Sequence, residues 1–369
     1  MKAEYVIGCA LAGLLITGLV ALYGFSASPM PEERSLNNTV KAAFAPREVY
    51  KEIAGPAGFV NTGKNADGTD KAISIGALVG EKVILIDFLT YSCINCQRTF
   101  PYLNAWYKKY KEQGLEIIGI HTPEFAFEKD INNVRKAMEK FGITHPIVLD
   151  NDYATWRAYG NQYWPRKYLI DIRGNIVYDH IGEGGYEETE MKIRELLAER
   201  AKVLGGEKGS ADGELAASSM PAEKNSARSP ETYFGSSRNE YLANGTPGRR
   251  GEQEFTVPEN FSKNALYLGG AWNILSEYAE TVSAASVVYK YNAKEVYLVA
   301  DADTPVSVKV FQDGEPAGAG RGEDVNAEGV AIMKESRLYK IIRNTTPGEH
   351  LLELRIEGKG LRLYAFTFG

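Results

Sequence analysis

The chain has 369 residues, of which 44% are hydrophobic and 24% are charged, and its net charge at pH 7 is −6. This length and composition are typical of a globular protein with two ordinary domains, and the mild negative charge gives no reason to expect a nucleic-acid partner. Three cysteines in so long a chain exclude a small scaffold held together by disulfides.

The first 28 residues have the pattern of a membrane anchor or signal segment. Residues 5–25 contain no charged side chain and are numerous enough to span a bilayer. Pro29 is a poor residue to follow a cleavage site, so we expect an uncleaved anchor, with a cleaved signal peptide as the alternative. Because Lys2 precedes the apolar run, export of the following chain is favoured. We expect a single-pass cell-membrane protein whose folded domains lie outside the cytoplasm, on the periplasmic or cell-wall side, beyond a polar stalk at residues 29–45.

Residues 46–203 alternate short apolar strands with amphipathic helices. The predicted elements are a hairpin of 59–62 with 72–75, strands at 83–89, 115–120, 146–149, 167–171 and 175–178, and helices at 93–113, 128–141 and 186–203. Helices interleaved with buried strands indicate an α/β domain whose central sheet is flanked by helices. The terminal hairpin makes that sheet mixed rather than wholly parallel.

The pattern changes twice after this domain. Residues 204–230 are rich in Gly, Ala, Ser, Lys and Glu, which predicts a flexible linker. Residues 231–369 then show short alternating strands between turn residues, which is typical of a second, all-β sandwich domain. The predicted strands are 286–291, 295–300, 306–311, 337–342, 349–356 and 361–368.

The residues suited to chemistry are Cys93 and Cys96, between the buried strand 83–89 and the helix that follows it. Two intervening residues place both sulfurs within one helical turn, so a disulfide can close and reopen there. Cys93 falls at the helix N-terminus, where unpaired N–H groups and the helix dipole stabilise a thiolate. The third cysteine, Cys9, lies within the apolar N-terminal run and is predicted to be inert.

Three other uses of a dithiol compete with redox exchange. A zinc site would need two further ligands, and the four histidines lack ligand spacing, so we expect no metal. A structural disulfide closing so small a loop would add little stability. A thiol peroxidase is suggested by the Thr-x-x-Cys from Thr90 to Cys93, although Ile86 stands where that family has a proline.

Residues 46–203 resemble the thioredoxin superfamily, in particular the thioredoxin-like domain of DipZ-type proteins, near the TlpA/ResA group of extracytoplasmic reductases. The stretches that carry the resemblance are 90–106, 121–125 and 182–186. Residues 231–369 resemble the jelly-roll-like, carbohydrate-binding-module-like sandwich that follows thioredoxin in DipZ-type proteins. The resemblance implies a thiol-disulfide oxidoreductase with a redox-active disulfide and no other cofactor.

The resemblance assigns roles to residues around the dithiol. Asp87 matches the buried acid of thioredoxins, whose raised pKa lets it exchange a proton with the resolving Cys96. Pro165 matches the cis-proline whose neighbouring backbone pairs with an extended substrate. Trp164 replaces the threonine usual before that proline, so substrate preference does not transfer directly.

Further residues near the motif are candidates with a structural alternative. We expect Tyr91, Ile94, Asn95 and Trp164 to contact the substrate, although Tyr91 could equally be a packing residue. Glu124 and Glu183 are candidates for tuning the site, against the alternative of solvated loop carboxylates.

The dipeptide between the cysteines, Ile94 and Asn95, carries no positive charge and so favours a reductant of client protein disulfides. The resemblance implies a membrane electron donor of the CcdA/DsbD type, here a separate chain because only one spanning segment is predicted.

The C-terminal domain carries candidate glycan-binding aromatics at Tyr241, Trp272, Tyr278 and Tyr289. Cell-wall glycan binding competes with a core role for these rings and with a docking or spacer role for the domain. The alternative for the whole chain is a surface glycan-binding or scaffold protein whose thioredoxin-like domain is idle.

Overall fold

A computed structural model of the chain describes residues 48–205, 214–219 and 227–369. Within those ranges, no helix combines the length and the apolar character needed to cross a membrane. The predicted anchor at residues 1–28 and the stalk at 29–45 lie outside the described residues.

A six-stranded mixed sheet is the centre of the N-terminal α/β region, residues 48–205. Its strands are β1 (Gly58–Val60), β2 (Val83–Leu89), β3 (Leu115–His121), β4 (Ile147–Leu149), β5 (Arg166–Ile170) and β6 (Ile176–Ile181). They lie in the order β1-β4-β3-β2-β5-β6, and β2, β3 and β4 are parallel. Every residue of β2 is buried, as expected for a strand that has a neighbour on each edge and is covered on both faces.

The helices of this region are α1 (Ile94–Tyr110), α2 (Ile131–Lys140), α3 (Ala154–Ala158) and α4 (Tyr186–Leu204). Helix α1 continues as one 3-10 turn and ends at Gly114, whose φ of 105° suits a residue without a Cβ. The predicted α/β domain with a mixed, helix-flanked sheet is therefore confirmed.

The predicted pairing of residues 59–62 with 72–75 is wrong, although a shorter hairpin turn forms between them, in which Lys64 and Asp70 form an antiparallel bridge and the Lys71 N–H donates to the Gly63 carbonyl at 3.0 Å. Residues 58–60 pair antiparallel with β4, and residues 72–75 form no strand. The turn predicted between them does form, because Asp67 accepts a hydrogen bond from the Thr69 N–H at 2.9 Å and Gly68 has a φ of 84°. The backbone groups of β1 form their hydrogen bonds with the edge of β4 instead. A local sequence pattern does not reveal this long-range pairing.

The C-terminal β region, residues 227–369, contains nine strands. They are β7 (Thr232–Tyr233), β8 (Gly251–Phe255), β9 (Leu266–Ile274), β10 (Ala279–Ala302), β11 (Val306–Gln312), β12 (Glu315–Pro316), β13 (Val330–Met333), β14 (Arg337–Ile356) and β15 (Leu361–Phe368). The pairs between them are antiparallel. The β-rich character predicted for this part of the chain is confirmed.

Two strands of this region are much longer than predicted. Residues 286–291 and 295–300 belong to the 24-residue β10, and 337–342 and 349–356 belong to the 20-residue β14. Register shifts in the β10–β14 ladder absorb the polar interruptions that resembled turns. The prediction also missed β8 and β9.

Aromatic side chains fill the core of the C-terminal β region. Trp272 and Tyr289 are fully buried, and the Trp272 Nε1–H donates to the Gly269 carbonyl at 3.0 Å. A glycan contact through the face of Trp272 or Tyr289 is therefore ruled out in this structure. Tyr241 and Tyr278 are half-buried, and the Tyr278 ring packs on Tyr364 with centroids 5.1 Å apart.

A short piece of the predicted linker lies against the N-terminal α/β region. The backbone N–H groups of Ala216 and Ala217 each donate to the Glu190 carboxylate at 2.8 Å. Glu190 also accepts hydrogen bonds from Trp106 at 3.1 Å and Tyr110 at 2.6 Å. These four donors satisfy a buried carboxylate on α4.

The two regions belong to one compact unit and share a hydrophobic cluster. Its buried members are Ile94, Phe125, Tyr297, Val299, Leu338, Tyr364 and Ala365. Three polar contacts surround the cluster. The Tyr91 hydroxyl donates to the Ser336 carbonyl at 3.0 Å, Arg98 pairs with Glu295 at 3.3 Å, and the Ala126 N–H donates to Glu277 at 2.9 Å.

Because Trp272 is fully buried, we expect Trp272→Ala to destabilise the protein by about 3–5 kcal/mol through lost burial and a residual cavity. Chemical denaturation followed by circular dichroism measures this. The matched control is Ile332→Ala, since Ile332 is 58% exposed and its truncation should change stability by about 0.5 kcal/mol or less. If the two variants unfolded at the same denaturant concentration, the assignment of Trp272 to the core would be contradicted.

Candidate active site

The dithiol lies where β2 passes into α1. Cys93 is the N-cap residue of α1, with an extended backbone at φ −77° and ψ 122°, and its carbonyl accepts from the Gln97 N–H at 3.0 Å. Cys93 is half-buried, Cys96 is fully buried, and both are free thiols. Cys93 thus stands at the N-terminal end of α1, the end that carries the unpaired N–H groups and the positive end of the helix dipole, although its side chain makes no capping hydrogen bond.

Asp87 lies on β2 and is fully buried, as predicted for the acid beneath the dithiol. Neither of its carboxylate oxygens accepts a hydrogen bond from the described residues. Loss of hydration raises its pKa to about 7, although the cationic Lys167 opposes this shift. A carboxyl group with this pKa can take or give a proton near neutral pH.

Lys167 is the direct cross-strand neighbour of Asp87 on β5, and the sequence analysis missed it. Its side chain is fully buried, and its Nζ donates to the Gly182 carbonyl at 3.2 Å. Burial lowers its pKa, and Asp87 is the first of the groups that raise it. A lysine opposite a buried acid is visible only once the register of β2 and β5 is known.

Cys96 is chemically different from Cys93 because of its depth. Burial is the main reason that its pKa is raised well above the ordinary value, followed by a hydrogen bond with the Cys93 side chain and by the charge of Asp87. Cys96 therefore stays protonated until a base takes its proton. Asp87 interacts with Cys96 electrostatically, and its negative charge contributes to the raised pKa of this thiol.

Pro165 and Trp164 lie on the other side of the dithiol. The bond between them is cis, and the Pro165 carbonyl accepts from the Gly182 N–H at 2.8 Å. Cys93, Asn95 and Trp164 line the same cleft of about 380 Å³, which we call the dithiol cleft. Ile94 and Glu124 line it too, so the structure brings together five of the residues named from the sequence.

The C-terminal β region covers two of the other residues expected to contact the substrate, Tyr91 and Ile94. Tyr91 is 3% exposed, and its ring stacks on His121 with centroids 5.6 Å apart. Ile94 is 6% exposed and belongs to the cluster shared by the two regions. Tyr91 is therefore a packing residue, whereas Ile94 also lines the dithiol cleft, so its contact with the substrate stays a prediction.

The two glutamates named as tuning residues lie in different places. Glu124 lines the dithiol cleft, is 12% exposed, and pairs with Arg238 at 2.8 Å. Burial raises its pKa. Glu183 pairs with Arg98 at 3.5 Å and does not line the cleft.

Glu128 is a second buried carboxylate that sequence reasoning missed. One oxygen accepts hydrogen bonds from the Thr90 hydroxyl and from Ser92, whose N–H and hydroxyl lie at 3.2 and 2.7 Å. The other accepts from the N–H groups of Glu124 and Phe125 at 2.6 and 3.0 Å. Glu128 therefore ties the loop before Cys93 to the loop that carries Glu124. In the sequence it was indistinguishable from the solvated charges of the following helix.

Among the described residues, no group of three or more His, Cys, Asp or Glu side chains could hold a metal ion. His121 and His145 are both fully buried. Loss of hydration lowers their pKa values to about 3 and about 4, so both are neutral. The chemistry available to the described site is that of the two sulfurs and the buried acid.

Two family models match separate parts of the chain. The model described as Redoxin matches residues 55–197, and the one described as Thioredoxin like C-terminal domain matches residues 229–369. Their boundary falls between the two regions of the structure.

Curated relatives match both regions or the first alone. Protein DipZ of Mycobacterium tuberculosis is 35% identical over 322 residues, which are 86% of this chain and 42% of that protein. The chain therefore spans less than half of the length of this relative. Thiol-disulfide oxidoreductase YkuV of Bacillus subtilis is 32% identical over 122 residues, 33% of this chain and 82% of that protein.

A solved structure described as a thioredoxin-like protein in the oxidised form matches the first region. It is 27% identical, covers 42% of this chain and 97% of its own, and gives a TM-score of 0.37.

The raised pKa of Asp87 makes the stability of the protein depend on pH in a defined direction. Between pH 4 and pH 7 the unfolded chain loses this proton while the folded chain keeps it, so the folded state loses stability as pH rises. As pH rises from 5 to 8, we expect the free energy of unfolding of Asp87→Asn to increase by about 2–3 kcal/mol relative to that of the parent.

Urea denaturation of both proteins at the two pH values measures this change. Asp152→Asn removes an exposed carboxylate and serves as the matched control, with little change in its difference from the parent. If the difference in free energy of unfolding between Asp87→Asn and the parent did not change with pH, or changed in the opposite direction, the raised pKa of Asp87 would be contradicted.

Proposed function

The chain belongs to the thioredoxin superfamily as a TlpA/DipZ-type protein, and from this membership we propose that it is a thiol-disulfide oxidoreductase that reduces disulfides of client proteins. One observation carries the proposal. A half-buried cysteine caps α1, and a fully buried cysteine and acid lie beneath it. This arrangement supplies a nucleophile, a resolving thiol and a base in one place.

In the first step, the Cys93 thiolate attacks one sulfur of the client disulfide. The client S–S bond breaks, a bond forms between Cys93 and the client, and the other client sulfur leaves as a thiolate. The N-terminal end of α1 stabilises the attacking thiolate. The hydrogen bond between the Cys96 and Cys93 side chains supports it further.

In the second step, Asp87 accepts the Cys96 proton, and the Cys96 thiolate attacks the Cys93 sulfur. The Cys93–Cys96 disulfide forms and the second client thiolate leaves, so two electrons pass from the enzyme to the client. Proton transfer needs an unoccupied carboxylate oxygen, and neither oxygen of Asp87 is taken by the described residues. The catalytic group needs no cofactor beyond this disulfide.

Continued turnover requires a donor that reduces the Cys93–Cys96 disulfide. We propose a separate membrane protein of the CcdA/DsbD type, consistent with an anchor at residues 1–28 and folded regions outside the cytoplasm. The C-terminal β region is proposed to be a jelly-roll-like sandwich, supported by the two long strands β10 and β14. Tyr241 and Tyr278 are the partly exposed rings through which it would contact cell-wall glycan.

Substitution of the two cysteines tests the proposed reaction. Cys93→Ser should lower reduction of a disulfide-bonded protein to the uncatalysed rate, because the attacking sulfur is absent. Cys96→Ser should accumulate a mixed disulfide with the client, detectable as added mass that a small thiol removes. Activity that is absent in the parent, or equal in parent and Cys93→Ser, would favour the idle scaffold instead.

The reduction potential of the chain tests the direction of transfer. Because Ile94 and Asn95 carry no positive charge, we expect a potential in the range of reductants, about −200 to −270 mV. Equilibration with glutathione or dithiothreitol redox buffers, read by thiol alkylation, measures it. A value near about −120 mV, that of a strong oxidant, would overturn the reductase direction.

A further inference from the structure

The C-terminal β region encloses the dithiol on the side where α1 begins. It covers Ile94 directly, and it bonds to Tyr91 and Arg98 on either side of the motif. Cys93 remains half-buried and lines the dithiol cleft. A client sulfur therefore meets Cys93 between the two regions rather than on an open face of α1.

Each region supplies one wall of the dithiol cleft. The residues used below are Asn95, Tyr163 and Trp164 on one wall and Glu231, Tyr233 and Arg238 on the other. Tyr163 is 47% exposed, and neither the Asn95 Oδ1 nor the Trp164 Nε1 has a hydrogen-bond partner among the described residues. Both of these atoms are buried, so a client segment would meet this wall through exposed side chains such as Tyr163.

The charges of the cleft do not balance. Glu124 is neutralised by Arg238 at 2.8 Å. Glu231 is exposed to the cleft and accepts a hydrogen bond from the Tyr233 hydroxyl at 2.6 Å, and no basic side chain in the described ranges forms an ion pair with it. These three charged groups therefore leave one negative charge beside the reactive cysteine.

Packing fixes the position of this charge. The Arg238 guanidinium lies over the Tyr233 ring, 3.6 Å from its centroid. The single hydroxyl hydrogen of Tyr233 is donated to Glu231, and the hydroxyl oxygen also lies 3.0 Å from the Glu124 carboxyl group. A preformed carboxylate favours a cationic partner and repels an anionic one, and this discrimination requires little reorganisation.

We propose that the C-terminal β region forms the second wall of the client site and selects, through Glu231, disulfide-bearing segments with a basic side chain next to the cysteine. The inference rests on the proposed function, because it concerns the client of that reaction. It gives the C-terminal β region a role in substrate choice that is independent of any glycan.

The ionisation of Glu231 sets the conditions of the test. Water reaches its carboxyl group through the cleft, yet protein surrounds the group, and this loss of hydration together with the Glu124 charge raises its pKa to about 7. Tyr233 and Arg238 face the same carboxyl group and lower the pKa. Assays at pH 8 therefore keep Glu231 ionised.

The experiment compares three disulfide-bonded peptides that differ only in the residue beside the cysteine, which is Lys, Gln or Glu. The full chain is assayed for kcat/KM at pH 8 and low ionic strength. We expect kcat/KM to decrease in the order Lys, Gln, Glu, with about a fivefold difference between the Lys and Glu peptides. Added salt should reduce this difference. In Glu231→Gln the ratio of kcat/KM between the Lys and Glu peptides should approach one. In Glu231→Lys the order of the three peptides should be reversed.

The matched control is Glu252→Gln, which removes an exposed glutamate of the same region that does not line the cleft. Its peptide order should equal that of the parent. Equal rates for the three peptides in the parent, or the parent order retained in Glu231→Gln and Glu231→Lys, would overturn the inference.

A neutral small disulfide, bis(2-hydroxyethyl) disulfide, separates the two proposals. If the parent reduces it but shows no charge order among the peptides, only the inference about the C-terminal β region fails. If the parent reduces neither this compound nor any peptide, the proposed function fails as well.

Discussion

The carboxyl group of Asp87 is held in the centre of a six-stranded sheet, where neither oxygen accepts a hydrogen bond from the described residues. Strand β2 lies between β3 and β5 and both faces of the sheet are covered there, so the Asp87 side chain has no access to water. The free-energy cost of burying a charge raises the pKa to about 7, and Lys167 on β5 offsets only part of it. The proton transfer proposed for Cys96 depends on this desolvation.

The start of α1 separates the two sulfurs into different environments. Cys93 caps the helix and is half-buried, whereas Cys96 lies one turn later in the core of the N-terminal α/β region. The same short motif therefore provides an accessible nucleophile and a protected thiol. Glu128 holds the preceding loop through Thr90 and Ser92, so the position of Cys93 is set by a carboxylate distant in sequence.

The C-terminal β region contributes to the site by covering it. The ring of Tyr91, for which the sequence left both substrate contact and packing open, is a packing residue, and Ile94 is packed against the same region while it also lines the dithiol cleft. The C-terminal β region also supplies Tyr233 and Arg238, which line the dithiol cleft. The dithiol cleft is therefore built by both regions together.

The sequence by itself determined the dithiol, the helix that begins at Cys93 and the change from α/β to β-rich structure, because each depends on local spacing or periodicity. Asp87 was assigned through the resemblance to thioredoxins. Only the tertiary structure decided the pairing of β1 with β4, the meeting of Asp87 with Lys167 and the covering of Ile94. These contacts join residues far apart in the chain, and their free energy comes from strand register and from packing between regions, which no local pattern encodes.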